Sequence, residues 1–155
     1  MPDFRSRDYG PTLTIERLDP SLPMPQYAKE GDSGFDLYAF LDLNDGDMLV
    51  LDPQSTYKVC LGIRAAIPEG WEAQVRPRSS MSARGITVQL GTIDSGYRGM
   101  WYASITNTSD TPYALMHLDR IAQAVLAPVT RANIVEGVVS TDTERGEAGF
   151  GSTGR

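Results

Sequence analysis

Hydrophobic and polar residues alternate along much of this chain with a period of two, the pattern of β-strands that bury one face. In the stretch 12–18, for example, leucine and isoleucine alternate with threonine and glutamate. Clusters of glycine, proline, aspartate and asparagine separate such stretches, as turns require. The alternation predicts strands at residues 12–18 and in stretches of residues 56–65, and further candidate strands lie at residues 35–41, 47–51, 71–76, 101–106 and 121–129.

Helical periodicity over ten or more residues is absent from the sequence. The best short helix covers residues 79–84, with Gly85 as its C-cap and Ser79 or Ser80 as its N-cap. Many short strands at regular spacing predict an all-β fold, either a sandwich, a jelly roll or a barrel.

The length of 155 residues fits one domain. We expect residues 1–140 to form it and the polar, glycine-rich residues 141–155 to be a flexible C-terminal arm. There is no apolar run of membrane-spanning length, and residues 1–11 lack the layout of a secretory signal. The expected location is therefore the cytoplasm, with no membrane contact.

Charge and reactive side chains narrow the possible functions. The net charge of −6, from 14 basic and 20 acidic residues, gives no general attraction to nucleic acid. Any phosphate must therefore be bound by a few placed arginines, backbone amides and a cation. Cys60 and His117 are the only residues of their types, which excludes an intramolecular disulfide, a cysteine zinc cluster and a histidine metal cage.

Four loops combine glycine with chemically active side chains, at residues 31–37, 76–81, 91–99 and 145–154. The first places Asp36 at the start of a strand, although an aspartate there is usually a turn former. In the second, a capped helical turn is one interpretation, and the adjoining arginines favour a phosphate site.

The third loop has the composition of a β-hairpin that presents Asp94 and Tyr97, and a carboxylate there can act as a general base. The fourth carries an arginine, two hydroxyls, free amides and one aromatic ring, which together can close over a nucleotide. A decorated hairpin and a disordered tail are the plain alternatives.

Five segments in order resemble the motifs of the trimeric dUTPases, and with their spacing they cover about residues 25–155. They are residues 34–37, 77–79, 91–99, 119–123 and 145–154. The resemblance implies a jelly-roll-like β barrel that assembles as a homotrimer, with active sites shared among subunits. It also implies that Mg²⁺ assists the hydrolysis of dUTP to dUMP and pyrophosphate.

By position, Asp94 resembles the carboxylate that activates the attacking water, and Tyr97 resembles the residue that packs on the deoxyribose and excludes a ribose 2′-hydroxyl. Asp36 resembles the aspartate that holds the magnesium ion's water shell. Arg78 is similar to a motif arginine with a more structural role. The remaining implied substrate contacts are Ser79, Ser80, Val88, Gln89, Leu90, Gly91, Gln123, Arg145, Phe150, Gly151, Ser152 and Thr153.

These contacts divide by the part of the nucleotide they hold. In the family, phosphate contacts correspond to Ser79, the Ser80 amide and Gln123, and tail contacts to the γ-phosphate and the uracil ring. Backbone groups at residues 88–91 correspond to those that recognise the base. The chain departs from the usual motifs at Ser80, Met81, Gln89, Met100 and Ala148.

Two other functions remain open. Residues 78–84 also resemble the arginine-serine-serine segment of dCTP deaminases, but the position aligned with their essential glutamate is Ser104. A dUTPase-like scaffold that contacts a regulatory protein partner is the second alternative.

Overall fold

The structure is a computed structural model, and it describes residues 10–42 and 47–148. Over these ranges the chain forms eleven strands and one short helix, which confirms the all-β prediction. The elements are β1 (Thr14–Arg17), β2 (Phe35–Tyr38), β3 (Met48–Leu51), β4 (Ser55–Cys60), β5 (Ile63–Ala66), β6 (Trp71–Pro77), α1 (Ser79–Ser82), β7 (Ile86–Val88), β8 (Gly91–Asp94), β9 (Tyr102–Asn107), β10 (Tyr113–Met116) and β11 (Arg120–Pro128).

The strands form antiparallel sheets with the orders β2-β11-β6-β8, β4-β9-β7, β1-β5 and β3-β10. Strand β11 lies inside the largest sheet and pairs with β6 over seven residues. Its pairing with β2 shifts register between Arg120 and Ala122. This irregularity lies where β2, β6 and β11 come together, beside the cavity described below.

The period-two pattern decides which side chains enter the core. In β9, Ala103 and Ile105 are buried while Tyr102 points to solvent, as alternation requires. The side chains of Trp101 and Ile121 are fully buried in the same hydrophobic cluster. The core therefore fixes the strands from whose ends the polar side chains project.

The alternating stretches predicted within residues 56–65 form two separate strands, β4 and β5. Gly62 between them has φ of 64°, a left-handed conformation outside the extended region of a regular strand. A Cβ at Gly62 would also lie 2.8 Å from Cγ of Phe40. The chain leaves the sheet of β9 here and pairs with β1 instead.

Three strands were not predicted, namely β7, β8 and β10. The first contains three residues, too few to display a period, and the second begins at a glycine within the loop predicted at residues 91–99. The hairpin prediction for that loop is wrong. Strand β7 pairs with β9 and β8 pairs with β6, so residues 89–90 cross between two sheets.

Cys60 and His117 have structural contacts in the described part of the chain. The His117 Nδ1 accepts a hydrogen bond from the Leu41 amide at 3.1 Å. The Cys60 sulfur accepts one from the Gly62 amide at 3.4 Å. No helix in the described ranges is long and apolar enough to cross a membrane.

Candidate active site

An open cavity of about 330 Å³ lies where β2, β6 and β11 meet the short helix α1. Its lining includes five of the residues predicted to bind substrate or metal water, namely Asp36, Arg78, Ser79, Ser80 and Gln123. Arg76 and Arg120 add two further cations to the wall. With three arginines against Asp32 and Asp36, the lining carries one net positive charge and several hydrogen-bond donors on a chain whose net charge is −6.

Asp36 is held between two arginines in this cavity. Its Oδ1 lies 2.9 Å from Nε of Arg78, and its Oδ2 lies 3.2 Å from Nη1 of Arg120. The side chains of Asp36 and Arg78 are 15% and 22% exposed, so water screens this pair only partly. Nη1 of Arg78 also donates to the backbone oxygen of Arg120 at 3.0 Å.

Arg78 therefore has partners within the protein itself, Asp36 and the Arg120 backbone. The motifs predicted no role for Arg120. Arg120 lies in the segment 119–123 that the resemblance singled out. Its position at the start of a strand, three residues before Gln123, was the available signal.

The helix α1 brings two serines to the cavity, but not as caps. Ser79 and Ser80 occupy the first helical positions, and the N-cap is Arg78, with no side-chain cap hydrogen bond. The prediction that one of the serines caps the helix is therefore wrong. Because no cap hydrogen bond holds the Ser79 and Ser80 side chains, which are exposed, their hydroxyls can face a ligand. Gly85, at φ of 76°, ends this turn of the chain.

Gln123 is positioned by a close approach of the backbone. Its Nε2 donates to the Pro77 oxygen at 3.0 Å. A Cβ at Gly34 would lie 2.6 Å from Oε1 of Gln123 and 3.2 Å from its Cδ. Only glycine at position 34 leaves room for the amide where it stands.

A second cavity of about 520 Å³ lies on the other side of Gln123. Leu90 and Gly91 line it together with Gln123, so three predicted contacts meet there. Val88 is buried in β7. The exposed Gln89 donates a hydrogen bond from its backbone amide to the Ser104 backbone oxygen at 2.9 Å. Neither of these two residues lines the cavity in this chain.

Asp94 and Tyr97 lie at the end of β8 that is far from the cavity containing Asp36 and Gln123. Asp94 pairs with Glu72, whereas Gln123 pairs with Arg76, four residues (76 − 72) further along β6. At ~3.3 Å per residue the two levels are about 13 Å apart. Asp94 is exposed and lines a different cavity of about 250 Å³. Within one chain, Asp94, the predicted general base, therefore does not lie close to the predicted phosphate contacts.

The arm contributes one described residue to the predicted site. Arg145 is exposed, and its Nε donates to the Ala148 oxygen at 3.1 Å, away from the cavities above. The other predicted contacts in this segment, Phe150, Gly151, Ser152 and Thr153, lie outside the described residues.

Two carboxyl groups in and after β1 have pKa values lowered by hydrogen bonds. Glu16 of β1 accepts two hydrogen bonds from Arg64 of β5, at 2.9 and 2.6 Å, which lower the pKa of the Glu16 carboxyl. The Ser21 hydroxyl and amide likewise lower the pKa of Asp19. Neither carboxyl lines the cavity that holds Asp36.

The donor set restricts how a metal ion can bind. Within residues 10–42 and 47–148 there is no group of three or more histidine, cysteine, aspartate or glutamate side chains able to hold an ion. Asp36 can still accept hydrogen bonds from metal-bound water, because each carboxylate oxygen has more than one acceptor site. The residues fit an ion that arrives with a phosphorylated ligand.

Arginines, serine hydroxyls and an ordered amide around one cavity are the side chains with which an all-β domain of the class that binds phosphorylated small molecules would hold its ligand. The family model for dUTPase matches residues 21–154. The deoxyuridine 5′-triphosphate nucleotidohydrolase of Wolbachia pipientis subsp. Culex pipiens is 46% identical over 140 residues, covering 87% of this chain and 89% of that protein. The enzyme of the same name from Beijerinckia indica is 43% identical, covering 93% and 92%.

A solved structure supports the same assignment. The dUTPase of Staphylococcus bacteriophage 80alpha with dUPNHPP has a TM-score of 0.81 and 25% identity, covering 93% of this chain and 99% of that one. The chain belongs to the dUTPase family.

Proposed function

We propose that this protein hydrolyses dUTP to dUMP and pyrophosphate. The observation that carries the proposal is the cavity in which Asp36, Arg78, Ser79 and Gln123 come together from separate parts of the chain. Membership of the family and relatives above 40% identity supply the substrate. The cavity supplies what a triphosphate needs, since guanidinium groups and hydroxyls bind phosphate oxygens.

The proposed assembly is a homotrimer of jelly-roll-like barrels, with residues 1–140 as the barrel and residues 141–155 as a closing arm. The separation of about 13 Å between the levels of Asp94 and Gln123 supports a shared site. In such a site, one subunit supplies the phosphate contacts and another supplies Asp94 and Tyr97. A sedimentation or light-scattering mass near one 16.9 kDa chain would contradict this assembly.

In the proposed reaction Asp94 accepts a proton from a water molecule whose oxygen attacks the α-phosphorus. The bond from that phosphorus to the bridging oxygen breaks, and pyrophosphate leaves. Arginines, amides and hydroxyls of the phosphate cavity stabilise its charge. A bound Mg²⁺ offsets the charge of the phosphates, and Asp36 would hold its water shell.

Substrate selection is assigned to the groups that contact the sugar and the uracil base. Tyr97 packs on the deoxyribose, and backbone groups at residues 88–91 match the uracil edge. A cytosine edge would leave those groups unpaired, which is costly in a buried site. On the arm, Phe150 stacks on the base, while Arg145, Ser152 and Thr153 hold the γ-phosphate with the Gly151 backbone.

The experiment incubates the purified protein and Mg²⁺ separately with dUTP, dCTP, UTP and dTTP, and follows the release of pyrophosphate and ammonia. Pyrophosphate from dUTP alone is the expected result. Ammonia from dCTP would instead support the deaminase, although Ser104 of β9 stands opposite Lys58 and offers no carboxylate.

A regulatory protein partner is a separate proposal with its own test. The Asp94→Asn variant should lose turnover but keep the nucleotide-bound conformation, so it should still bind such a partner. Failure of a pull-down with and without nucleotide would count against this role.

A further inference from the structure

Gly99 follows Tyr97 by two residues, and nothing in its backbone requires glycine. Its φ lies outside the left-handed region, where glycine is normally needed. Another reason must therefore explain why a side chain is unsuitable at this position.

The Tyr97 ring supplies that reason, because it folds back over residue 99. A Cβ on Gly99 would lie 2.5 Å from Cζ of Tyr97 and 3.0 Å from Cε2, and closer still to the phenol oxygen. The phenol donates a hydrogen bond to the Met100 oxygen at 2.9 Å. The ring thus occupies the space that a side chain at residue 99 would take, and its hydroxyl is held by the Met100 backbone oxygen.

The turn beneath the ring links it to Asp94. The Tyr97 amide donates to the Asp94 oxygen at 3.0 Å. Nη1 of Arg98 donates to the oxygens of Ser95 and Tyr97 at 2.5 and 2.9 Å. Since the turn is cross-braced, an added methyl group would displace the ring, which is the flexible end of a side chain.

We propose that Gly99 is a specificity-determining residue that sets the position of the Tyr97 ring, which forms one wall of the deoxyribose-binding site. The proposal rests on the proposed function, in which Tyr97 leaves no room for a 2′-hydroxyl. Without a side chain at 99, the ring reaches the Met100 oxygen and closes the wall. With one, the ring moves and the wall loses its fit to deoxyribose.

The test compares Gly99→Ala with Gly96→Ala by kcat/KM for dUTP and UTP. Gly96 lies in the same turn, also has an ordinary φ, and a Cβ there meets nothing within 4 Å. In Gly99→Ala the ratio of kcat/KM for dUTP over UTP should fall about tenfold. The kcat for dUTP should stay within about twofold, because Asp94 is retained. Gly96→Ala should keep the wild-type ratio.

A double-mutant cycle separates the ring from a backbone effect. In a Tyr97→Ala background there is no ring to displace, so Gly99→Ala should change the ratio no further. An unchanged ratio in Gly99→Ala, an equal fall in Gly96→Ala, or an equal fall in the Tyr97→Ala background would each overturn the proposal.

The ring position gives a readout that does not depend on catalysis. If the wild-type protein hydrolysed no dUTP, the proposed function would fail. A crystal structure of Gly99→Ala would still decide the ring's placement. A displaced ring without the Met100 hydrogen bond is expected, and an unmoved ring would refute the steric argument.

Discussion

Replacing Asn107 with alanine should destabilise the fold strongly, because this residue is the buried polar side chain among the described core residues. Its Nδ2 donates to the oxygens of Leu51 and Thr111 at 2.9 and 2.8 Å. Its Oδ1 accepts from the amide and hydroxyl of Ser109 at 3.0 and 2.7 Å. One side chain thereby joins the end of β9 to β3 and to the following turn.

The magnitude follows from these four hydrogen bonds. Each has a net value of about 1 kcal/mol, and the Ser109 groups can turn to water, so roughly two bonds are lost outright. The Leu51 oxygen belongs to a fully buried residue, and leaving it unpaired adds ~1–3 kcal/mol. The total is about 3–5 kcal/mol, which corresponds to a fall in Tm of roughly 6–20 °C for a chain of this size.

Aspartate at the same position should be worse than alanine. It keeps the shape but puts a carboxylate oxygen where Nδ2 faced two carbonyl oxygens, and it buries a charge without a partner. The free energy of unfolding should therefore fall further in Asn107→Asp than the ~3–5 kcal/mol expected for Asn107→Ala.

The assay is urea unfolding followed by tryptophan fluorescence, at one protomer concentration because oligomer stability depends on it. Thr56→Ala is the control, since its hydroxyl pairs with that of Thr106 at 2.8 Å on the exposed face. That loss should stay below about 1 kcal/mol. An Asn107→Ala loss below about 1 kcal/mol, or an aspartate variant as stable as alanine, would refute the reasoning.

Three further changes test the site. Asp94→Asn should abolish dUTP turnover with nucleotide affinity largely kept, measured by pyrophosphate release and calorimetry; normal turnover would remove Asp94 as the base. Deleting residues 145–155 should sharply reduce turnover with Tm nearly unchanged, and full activity would contradict the closing arm. Gly34→Ala should displace the Gln123 amide and raise KM for dUTP about tenfold, whereas Gly137→Ala, where a Cβ meets nothing within 4 Å, should leave KM unchanged.

The strands were predictable where alternation was long enough to display its period. The seven residues of β6 show it, since the apolar Trp71, Ala73 and Val75 alternate with polar residues. The three residues of β7 do not, since a pattern of two positions per repeat needs more than one repeat. The break at Gly62 depended on Phe40 packing against it, a contact distant in sequence.

The order of the motifs grouped some residues that lie together in the fold, but it did not predict the geometry of the cavity that they line. Motif order named Asp36, Ser79 and Gln123, and the fold places them around one cavity. The sequence could not indicate that Arg120 pairs with Asp36 across 84 positions. It also could not indicate that Arg78 is the N-cap, because that depends on which strands become neighbours.

The pairing of Asp36 with two arginines also constrains how such a chain can change over generations. A substitution at Asp36 leaves Arg78 and Arg120 as neighbouring like charges, and one at Arg78 leaves the Asp36 carboxylate, which is mostly hidden from water, with a single partner. Changing one member of this charge cluster should therefore destabilise the protein more than changing its partners together. The three positions should be inherited as a block, and lineages should lose or keep them together.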